Sequence, residues 1–327
     1  MKPVVLVNGQ VQKEIVPALQ ERFEVRQWDG KGIMPLDVLA KKIESADALV
    51  LAYKSVLPGE VIRRGRKLKL IAQHFVGYED VDVAACTQCS IPFCNTASAS
   101  SDTVAELAIA LMMALSRNIL LCDAYVRRGE WAEDRNYDYL YGQDAKGMTM
   151  GVLGMGRVGY AIAQKAQGLG MNVLYNNRHR RLEVESETLN FADIGTLYTQ
   201  SDIVVNVLPA SPDTYHFVDA AAFAKMKDTA LFINVGRGDT VATEDLITAL
   251  KNKDIAQAAV DVVEGEPLAK DHPLLSLPNI IITPHIGAST EQTRLRKSQI
   301  TIQNVINCFT GEPLIDCVNE RSLKNHS

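Results

Sequence analysis

Apolar residues fall in short runs separated by stretches in which they recur at helical spacing. Residues 4–8, 23–28, 48–52 and 70–73 are such runs, and residues 16–22 and 36–44 are periodic segments between them. Near-continuous apolar runs alternating with amphipathic segments predict parallel strands covered by helices on both faces. A long amphipathic stretch follows at residues 102–116 (DTVAELAIALMMALS), with Asp102 as its expected N-cap and Glu106 early in the helix. Beyond it, strands are expected at 149–153, 172–175, 203–207, 230–234, 256–262 and 280–283. The last periodic segment, residues 291–309, predicts a helix that returns to the first unit. The chain reads as two α/β units in series.

Composition adds bounds to this outline. The 327 residues suit two domains of about 150 residues each. A net charge of −5 and a pI near 5.7 argue against non-specific binding to nucleic acid or anionic membrane. No apolar run approaches the roughly 20 residues of a membrane span. The start, MKP followed by VVLV, reads as a strand and not as a signal peptide, so a cytoplasmic protein is expected. Cys86, Cys89 and Cys94 are the only cysteines close in sequence, while Cys122, Cys308 and Cys317 stand apart. None has a partner at zinc spacing, so reduced thiols and no metal site are expected. The basic run at residues 63–69 reads as a solvated face near a helix end.

The segment TMGVLGMGRVG at residues 149–159 carries the clearest chemistry. It sets Gly154, Gly156 and Gly159 between an expected strand and an expected helix at residues 160–169, the context in which G-x-G-x-x-G marks a dinucleotide site. Gly154 permits a tight turn, Gly156 lets backbone approach a pyrophosphate, and Gly159 lets helix and strand pack closely. Free N–H groups at the helix start then hold the phosphates. About 20 residues on, a carboxylate would bind a ribose 2′-hydroxyl. Here the sequence reads YNNRHRR at 175–181, with Arg178, Arg180 and Arg181. Arginines suit a 2′-phosphate, so NADPH is expected in preference to NADH; an exposed basic loop is the plain alternative.

Ligands of open parallel sheets bind outside the carboxyl ends of the strands. Three suitable residues follow such ends: Arg237 in NVGRG, Glu266 in DVVEGEP and His285 in TPHIG. Singly, each has a plain reading as a surface arginine, a turn glutamate and a core histidine. Together they suit reduction of a 2-oxo acid. Arg237 would grip the carboxylate and polarise the carbonyl, Glu266 would orient His285 and favour its charged form, and His285 would give a proton to the carbonyl oxygen.

The motifs GMGRVG (154–159), FINVGRGD (232–239), DVVEGEPL (261–268) and TPHIGAST (283–290) carry a resemblance over nearly the whole chain. It is to the D-isomer-specific 2-hydroxyacid dehydrogenase family. Within that family the chain is most similar to bacterial glyoxylate/hydroxypyruvate (2-ketogluconate) reductases, with LYNNRHRR (174–181) and DCVN (316–319) in support. The resemblance implies a Rossmann NADP-binding domain over residues 100–288. That domain is inserted in a flavodoxin-like substrate-binding domain of residues 1–99 plus 289–327. It implies a homodimer that reduces glyoxylate, hydroxypyruvate and 2-ketogluconate to D-2-hydroxy acids with NADPH. Arg237, Glu266 and His285 fall on its catalytic set. Asp261 falls on the contact to the nicotinamide carboxamide, and Thr103 lies near the nicotinamide. Met155, Arg157 and Val158 among the glycines, with Asn177, Arg178 and Arg180, fall on the dinucleotide site. Leu208, Pro209, Thr214, Val235, Gly236 and Gly287 complete it. Phe75, Val76 and Gly77 fall on the substrate loop, where the N–H groups of Val76 and Gly77 take the carboxylate.

Departures from the family pattern leave other specificities open. The hinge loop CNTASASSD (94–102) lacks the common proline, Phe75 replaces a smaller residue, and Leu140 stands near where many such reductases place a tryptophan reaching the partner's active site. Phosphite dehydrogenases carry a lysine at the place of Val76, and formate dehydrogenases pair the histidine with a glutamine. D-3-phosphoglycerate dehydrogenases often append a regulatory domain, for which this chain shows no room. Branched 2-oxo acids, or a dinucleotide-sensing role without catalysis, are the remaining alternatives. Hinges near Ala99 and Ala288 are expected to let the domains close.

Overall fold

A computed structural model describes residues 2–52, 55–133 and 138–324. The chain divides into two compact units, Met1–Ser100 with Ser289–Ser327, and Ser101–Ala288.

The first unit is built on β1 (Val4–Val7), β2 (Glu24–Gln27), β3 (Ala48–Leu51), β4 (Leu70–Gln73) and β5 (Phe93–Cys94). They form a parallel sheet in the order β2-β1-β3-β4-β5. Strand periodicity sends alternate residues to opposite faces, and both faces are covered. Val5, Val7, Val50, Leu70 and Ala72 pack with Ile15, Leu19 and Val305. Leu6, Leu49, Leu51, Ile71 and Phe93 pack with Leu39, Ile62 and Cys86. Val305 belongs to the helix Glu291–Thr310, so the end of the chain does return to this unit. Its first turn is capped by Thr290, which accepts from the Thr293 N–H at 3.2 Å, and Gly311 ends it at φ 81°. The basic run is exposed past the helix Gly59–Ile62, as expected.

Strand β5 was not anticipated; at two residues it carries no periodicity of its own. Its anchor is remote in sequence. The buried Asn319 side chain accepts from the Phe93 N–H at 2.9 Å and donates to the Ile91 carbonyl at 3.0 Å and the Thr87 hydroxyl at 3.1 Å.

The second unit holds β6 (Thr149–Leu153), β7 (Asn172–Asn176), β8 (Leu189–Phe191), β9 (Ile203–Asn206), β10 (Leu231–Asn234), β11 (Gln257–Val260) and β12 (Ile280–Ile282). All are parallel, in the order β12-β11-β10-β9-β6-β7-β8. This is the dinucleotide-binding order, and its direction of winding reverses between β6 and β9. The helices Ser101–Ser116 and Arg157–Gly168 cover one face, where Ala105, Ala108, Ala163 and Ala166 allow close packing. Leu197, Phe223, Leu246 and Ile247 cover the other. Asp102 is not the N-cap expected of it. The helix already begins at Ser101, and Asp102 in its first turn pairs with Lys165 at 3.0 Å. Strand β8 was likewise missed, because it is an edge strand of three residues with only Leu189 fully buried.

Replacing Asn319 by alanine should lower stability by about 2–3 kcal/mol, since it strands the Phe93 N–H and the Ile91 carbonyl in the interior. The urea midpoint reads this directly, and an unchanged midpoint would contradict the role given to that side chain.

Candidate active site

The glycine turn leaves β6 at the point where the winding of the sheet reverses. Gly154 sits at φ 97°, in the left-handed region, and donates its N–H to the Asn176 carbonyl at 2.9 Å. A Cβ on Gly159 would stand 2.0 Å from the Gly154 carbonyl oxygen, so only glycine lets the helix approach the turn. A Cβ on Gly156 would meet nothing within 4 Å. That open space lies at the N-terminus of the twelve-residue helix Arg157–Gly168, whose N-cap Gly156 supplies no side chain. The positive end of the helix dipole faces it, and no side chain of the N-cap closes it, a setting that fits a pyrophosphate. The helix starts at Arg157 instead of 160 because Gly156 itself is the cap.

The arginine loop is tied to this turn. The Met155 N–H donates to Asn177 Oδ1 at 3.3 Å, and the Met155 carbonyl accepts from Arg181 Nη1 at 2.8 Å. Residues 175–181 contain no carboxylate, yet folding brings three to the arginines. Arg178 pairs with Asp213 at 2.9 Å, Arg180 with Glu185 at 2.7 Å and Arg181 with Glu183 at 2.8 Å. The Arg180 guanidinium holds the Glu185 carboxyl below the usual carboxylate range. Nearby, Leu208 lies against Gly154, and the Thr214 hydroxyl donates to the Pro209 carbonyl at 2.6 Å. Arg157 is exposed and Val158 half-buried, while Thr103, Val235 and Gly236 are buried.

Arg237 is placed by a buried polar network. Asn206 and Asn234 end β9 and β10 as register partners. Asn206 donates to Asn234 Oδ1 at 3.1 Å and to Thr240 Oγ1 at 2.7 Å. Asn234 Oδ1 accepts from the Gly236 N–H at 3.1 Å, while Asn234 Nδ2 and the Thr240 hydroxyl both donate to the Arg237 carbonyl, at 3.2 and 2.6 Å. The backbone that carries Arg237 is thereby fixed from below.

Asp261 does the same for His285. It is 3% exposed, and its carboxylate accepts from the Thr283 hydroxyl at 2.6 Å, the Ile286 N–H at 2.8 Å and the Gly287 N–H at 2.8 Å. Its carbonyl accepts from the His285 N–H at 2.9 Å. Between these anchors His285 adopts φ 54°, a left-handed conformation that costs about 1–3 kcal/mol outside glycine.

In this posture His285 Nδ1 is 2.8 Å from Glu266 Oε2, and Glu266 Oε1 accepts from the Val263 N–H at 3.1 Å. Burial acts to raise the Glu266 carboxyl. The bonds from His285 and Val263 and the charge of Arg237 outweigh it, and the net effect lies below the usual range. An ionised Glu266 makes Nδ1 the donor and leaves Nε2 for a ligand. The neighbouring Glu264 instead pairs with His216 at 2.9 Å, so Glu266 alone of the two glutamates faces His285.

Within the first unit, the loop after β4 turns its carbonyls inward. Asn95 Nδ2 donates to the Val76 carbonyl at 2.9 Å, the Thr96 N–H to that of Phe75 at 3.3 Å, and Gln73 to that of Gly77. The N–H groups of Val76 and Gly77 have no hydrogen-bond partner among the described residues. The Phe75 ring packs edge-on against His74 and lies under the Lys297 ammonium, 5.9 Å from its centroid. Burial, with the charge of Lys297 adding to it, pushes His74 down to about 4.

Asn206, Asn234 and Thr240 escaped the sequence reading, and the bond from Arg181 to the Met155 carbonyl was not foreseen. The signal was present for two of them, since the apolar runs IVVN and LFIN both end on asparagine at the edge where ligands bind.

Comparison with known proteins identifies the family. Residues 109–287 match the family model described as D-isomer specific 2-hydroxyacid dehydrogenase, NAD binding domain. A glyoxylate reductase from Thermococcus onnurineus is 35% identical, over 99% of this chain and 98% of that protein. Glyoxylate/hydroxypyruvate reductase B from Klebsiella pneumoniae is 36% identical, over 98% and 99%. A crystal structure of an NADPH-dependent glyoxylate/hydroxypyruvate reductase from Sinorhizobium meliloti, in complex with NADP and malonate, superposes with a TM-score of 0.85. It is 27% identical and covers 98% of each chain. With its two parallel sheets, its glycine turn and these full-length relatives, the chain belongs to the D-isomer-specific 2-hydroxyacid dehydrogenase family.

Proposed function

We propose that the protein reduces small 2-oxo acids to D-2-hydroxy acids with NADPH, with glyoxylate and hydroxypyruvate as first substrates and 2-ketogluconate as a larger one. The observation that carries this is the Glu266–His285 pair, 2.8 Å apart, at the strand ends that also hold Arg237. Relatives named for glyoxylate and hydroxypyruvate support the substrate class. In this reading residues 100–288 bind NADP, while residues 1–99 and 289–327 bind substrate. The enzyme works in the cytoplasm without a metal.

NADPH, when bound, supplies the hydride that reduces the carbonyl carbon. The chain supplies the remainder. Val76 and Gly77 give two N–H groups to the substrate carboxylate, and Arg237 adds a charged contact that polarises the carbonyl. His285 holds a proton on Nε2 and passes it to the carbonyl oxygen as negative charge develops there. Glu266 fixes the ring and stabilises its charged form. Because its carboxyl is held below the usual range, this support is present at neutral pH and is lost only as pH falls through that lowered value. Asp261, with its oxygens committed to residues 283–287, acts on this picture by positioning His285, besides any contact to the nicotinamide.

The basis for NADPH is the loop after β7. Arg178 and Asp213 form an exposed pair, 71% and 77% accessible. Such pairs are worth at most about 1 kcal/mol, so a 2′-phosphate displaces the carboxylate readily. Asn177 and Arg181, already bound to Met155, then line the same corner beside Arg180.

Initial rates of NADPH and NADH oxidation with glyoxylate and hydroxypyruvate test the proposal. Turnover is expected with NADPH, and His285→Ala should reduce kcat by roughly 10²–10⁴-fold. A His285→Ala enzyme as fast as the wild type would refute the mechanism. Arg178→Ala should raise the KM for NADPH about tenfold, the loss of one charged hydrogen bond, and leave that for NADH almost unchanged. Equal effects on the two would remove the basis for NADPH.

A homodimer is proposed through the helix Ile119–Arg127. Ile119, Leu120, Leu121 and Val126 are 44–52% exposed there, a group of apolar side chains that a monomer rarely leaves uncovered. Light scattering should give twice the 35.9 kDa chain mass, and the double change Leu120→Asp, Leu121→Asp should return it to one chain. A monomeric wild type would exclude this face as an interface.

A further inference from the structure

Three cysteines that stand apart in the sequence meet in the first unit. Cys94 is buried in the cluster formed with Val305, and Cys308 and Cys317 pack against it. Cys94 and Cys317 are direct partners in an antiparallel bridge. The hydrogen bonds around them run between their neighbours, from the Asn95 N–H to the Asp316 carbonyl at 3.3 Å and from the Val318 N–H to the Phe93 carbonyl at 2.8 Å. That arrangement makes the cysteines a non-hydrogen-bonded pair, the closer kind, with Cα atoms about 4.5 Å apart. Disulfides accept Cα separations of about 4.4–6.8 Å, so a bond between these two sulfurs requires little movement of either strand.

Both strands are held in place. Asp316, at φ 52°, accepts from the Ser98 N–H at 2.7 Å and the Ser98 hydroxyl at 2.6 Å. Asn319 pins the other side to Phe93 and Ile91. The neighbouring Cys94 thiol lowers the Cys317 thiol, while Cys317 and burial push Cys94 up; the Cys317 thiol donates to Asn319 Oδ1 at 3.5 Å. Cys317 is also the partly exposed member, and Cys94 is fully buried. Cys308 lies outside the bridge, its thiol donates to the Lys69 carbonyl at 3.4 Å, and burial raises it.

We propose that Cys94 and Cys317 form a redox-active pair that closes to an intramolecular disulfide when a hydroperoxide reaches Cys317. The Cys317 thiolate attacks the terminal peroxide oxygen and breaks the O–O bond, leaving a sulfenic acid and an alcohol, or water from hydrogen peroxide. Cys94 then attacks the Cys317 sulfur and expels the sulfenic oxygen, which leaves as water with the Cys94 proton. The two thiols give up two electrons and two protons, and one peroxide is reduced. The bond would lie one residue from Asn95, which holds the Val76 carbonyl, and two from Thr96, which holds that of Phe75. Oxidation therefore acts on the loop assigned above to the substrate carboxylate; this bearing on substrate rests on that assignment, while the bridge itself does not.

The test treats the full-length protein with hydrogen peroxide, then counts free thiols and maps peptides without reduction. Loss of two of the six thiols is expected, with a linked peptide joining residues 94 and 317 that dithiothreitol separates. Cys308→Ser should behave as the wild type, and Cys317→Ser should form no linked peptide. A bridge through Cys308, a link between two chains, or Cys317 oxidised with no link to Cys94 would each overturn the proposal. These readouts are chemical, so they stand whether or not the enzyme reduces 2-oxo acids.

Discussion

The site depends on one buried carboxylate. Asp261 leaves its strand almost wholly enclosed, and three donors from residues 283–287 converge on it. A buried charge is tolerable only when its hydrogen bonds are satisfied, so this carboxylate requires the loop to wrap around it. That wrapping compensates the left-handed backbone of His285 and aims its ring at Glu266. The strain stays local because each donor is anchored on the same group. Rigid placement of this kind is what the proposed proton donor needs to act without reorganising during the reaction.

The same logic recurs one strand over. Asn206 and Asn234 occupy a sheet interior where apolar side chains would pack more simply. They accept and donate to the turn that carries Arg237, with Thr240 closing the network. A parallel sheet exposes its carboxyl ends as a row of loops with unsatisfied backbone groups. Polar residues at those ends convert otherwise free loops into fixed ones. The glycine turn is the opposite device, leaving open space at a helix N-terminus where a pyrophosphate would fit.

Much of this was legible in the sequence because it is local. Strands β4 and β6 were read at both ends, since apolar runs bounded by polar residues set their limits. Arg237, Glu266 and His285 were readable because each follows a strand in a short motif. Interactions that join distant segments were not legible. Strand β5 exists through Asn319, more than two hundred residues away, and edge strand β8 has too little buried surface to show a pattern. The arginine loop showed its positive charges and hid Glu183, Glu185 and Asp213, which only folding brings to them. The cysteines misled similarly: the sequence grouped Cys94 with Cys86 and Cys89, while the fold sets it opposite Cys317.

The most direct test of the account is the kcat for 2-oxo acid reduction by Asp261→Asn. The amide has the same shape, but one oxygen becomes a donor facing the hydrogen-bond donors of residues 283–287. Displacement of a reacting group by about 1 Å costs on the order of 100-fold in rate. The account predicts a fall of about that size with the circular dichroism spectrum retained. A variant that keeps the wild-type kcat would show that His285 holds its place without the buried carboxylate, and would contradict it.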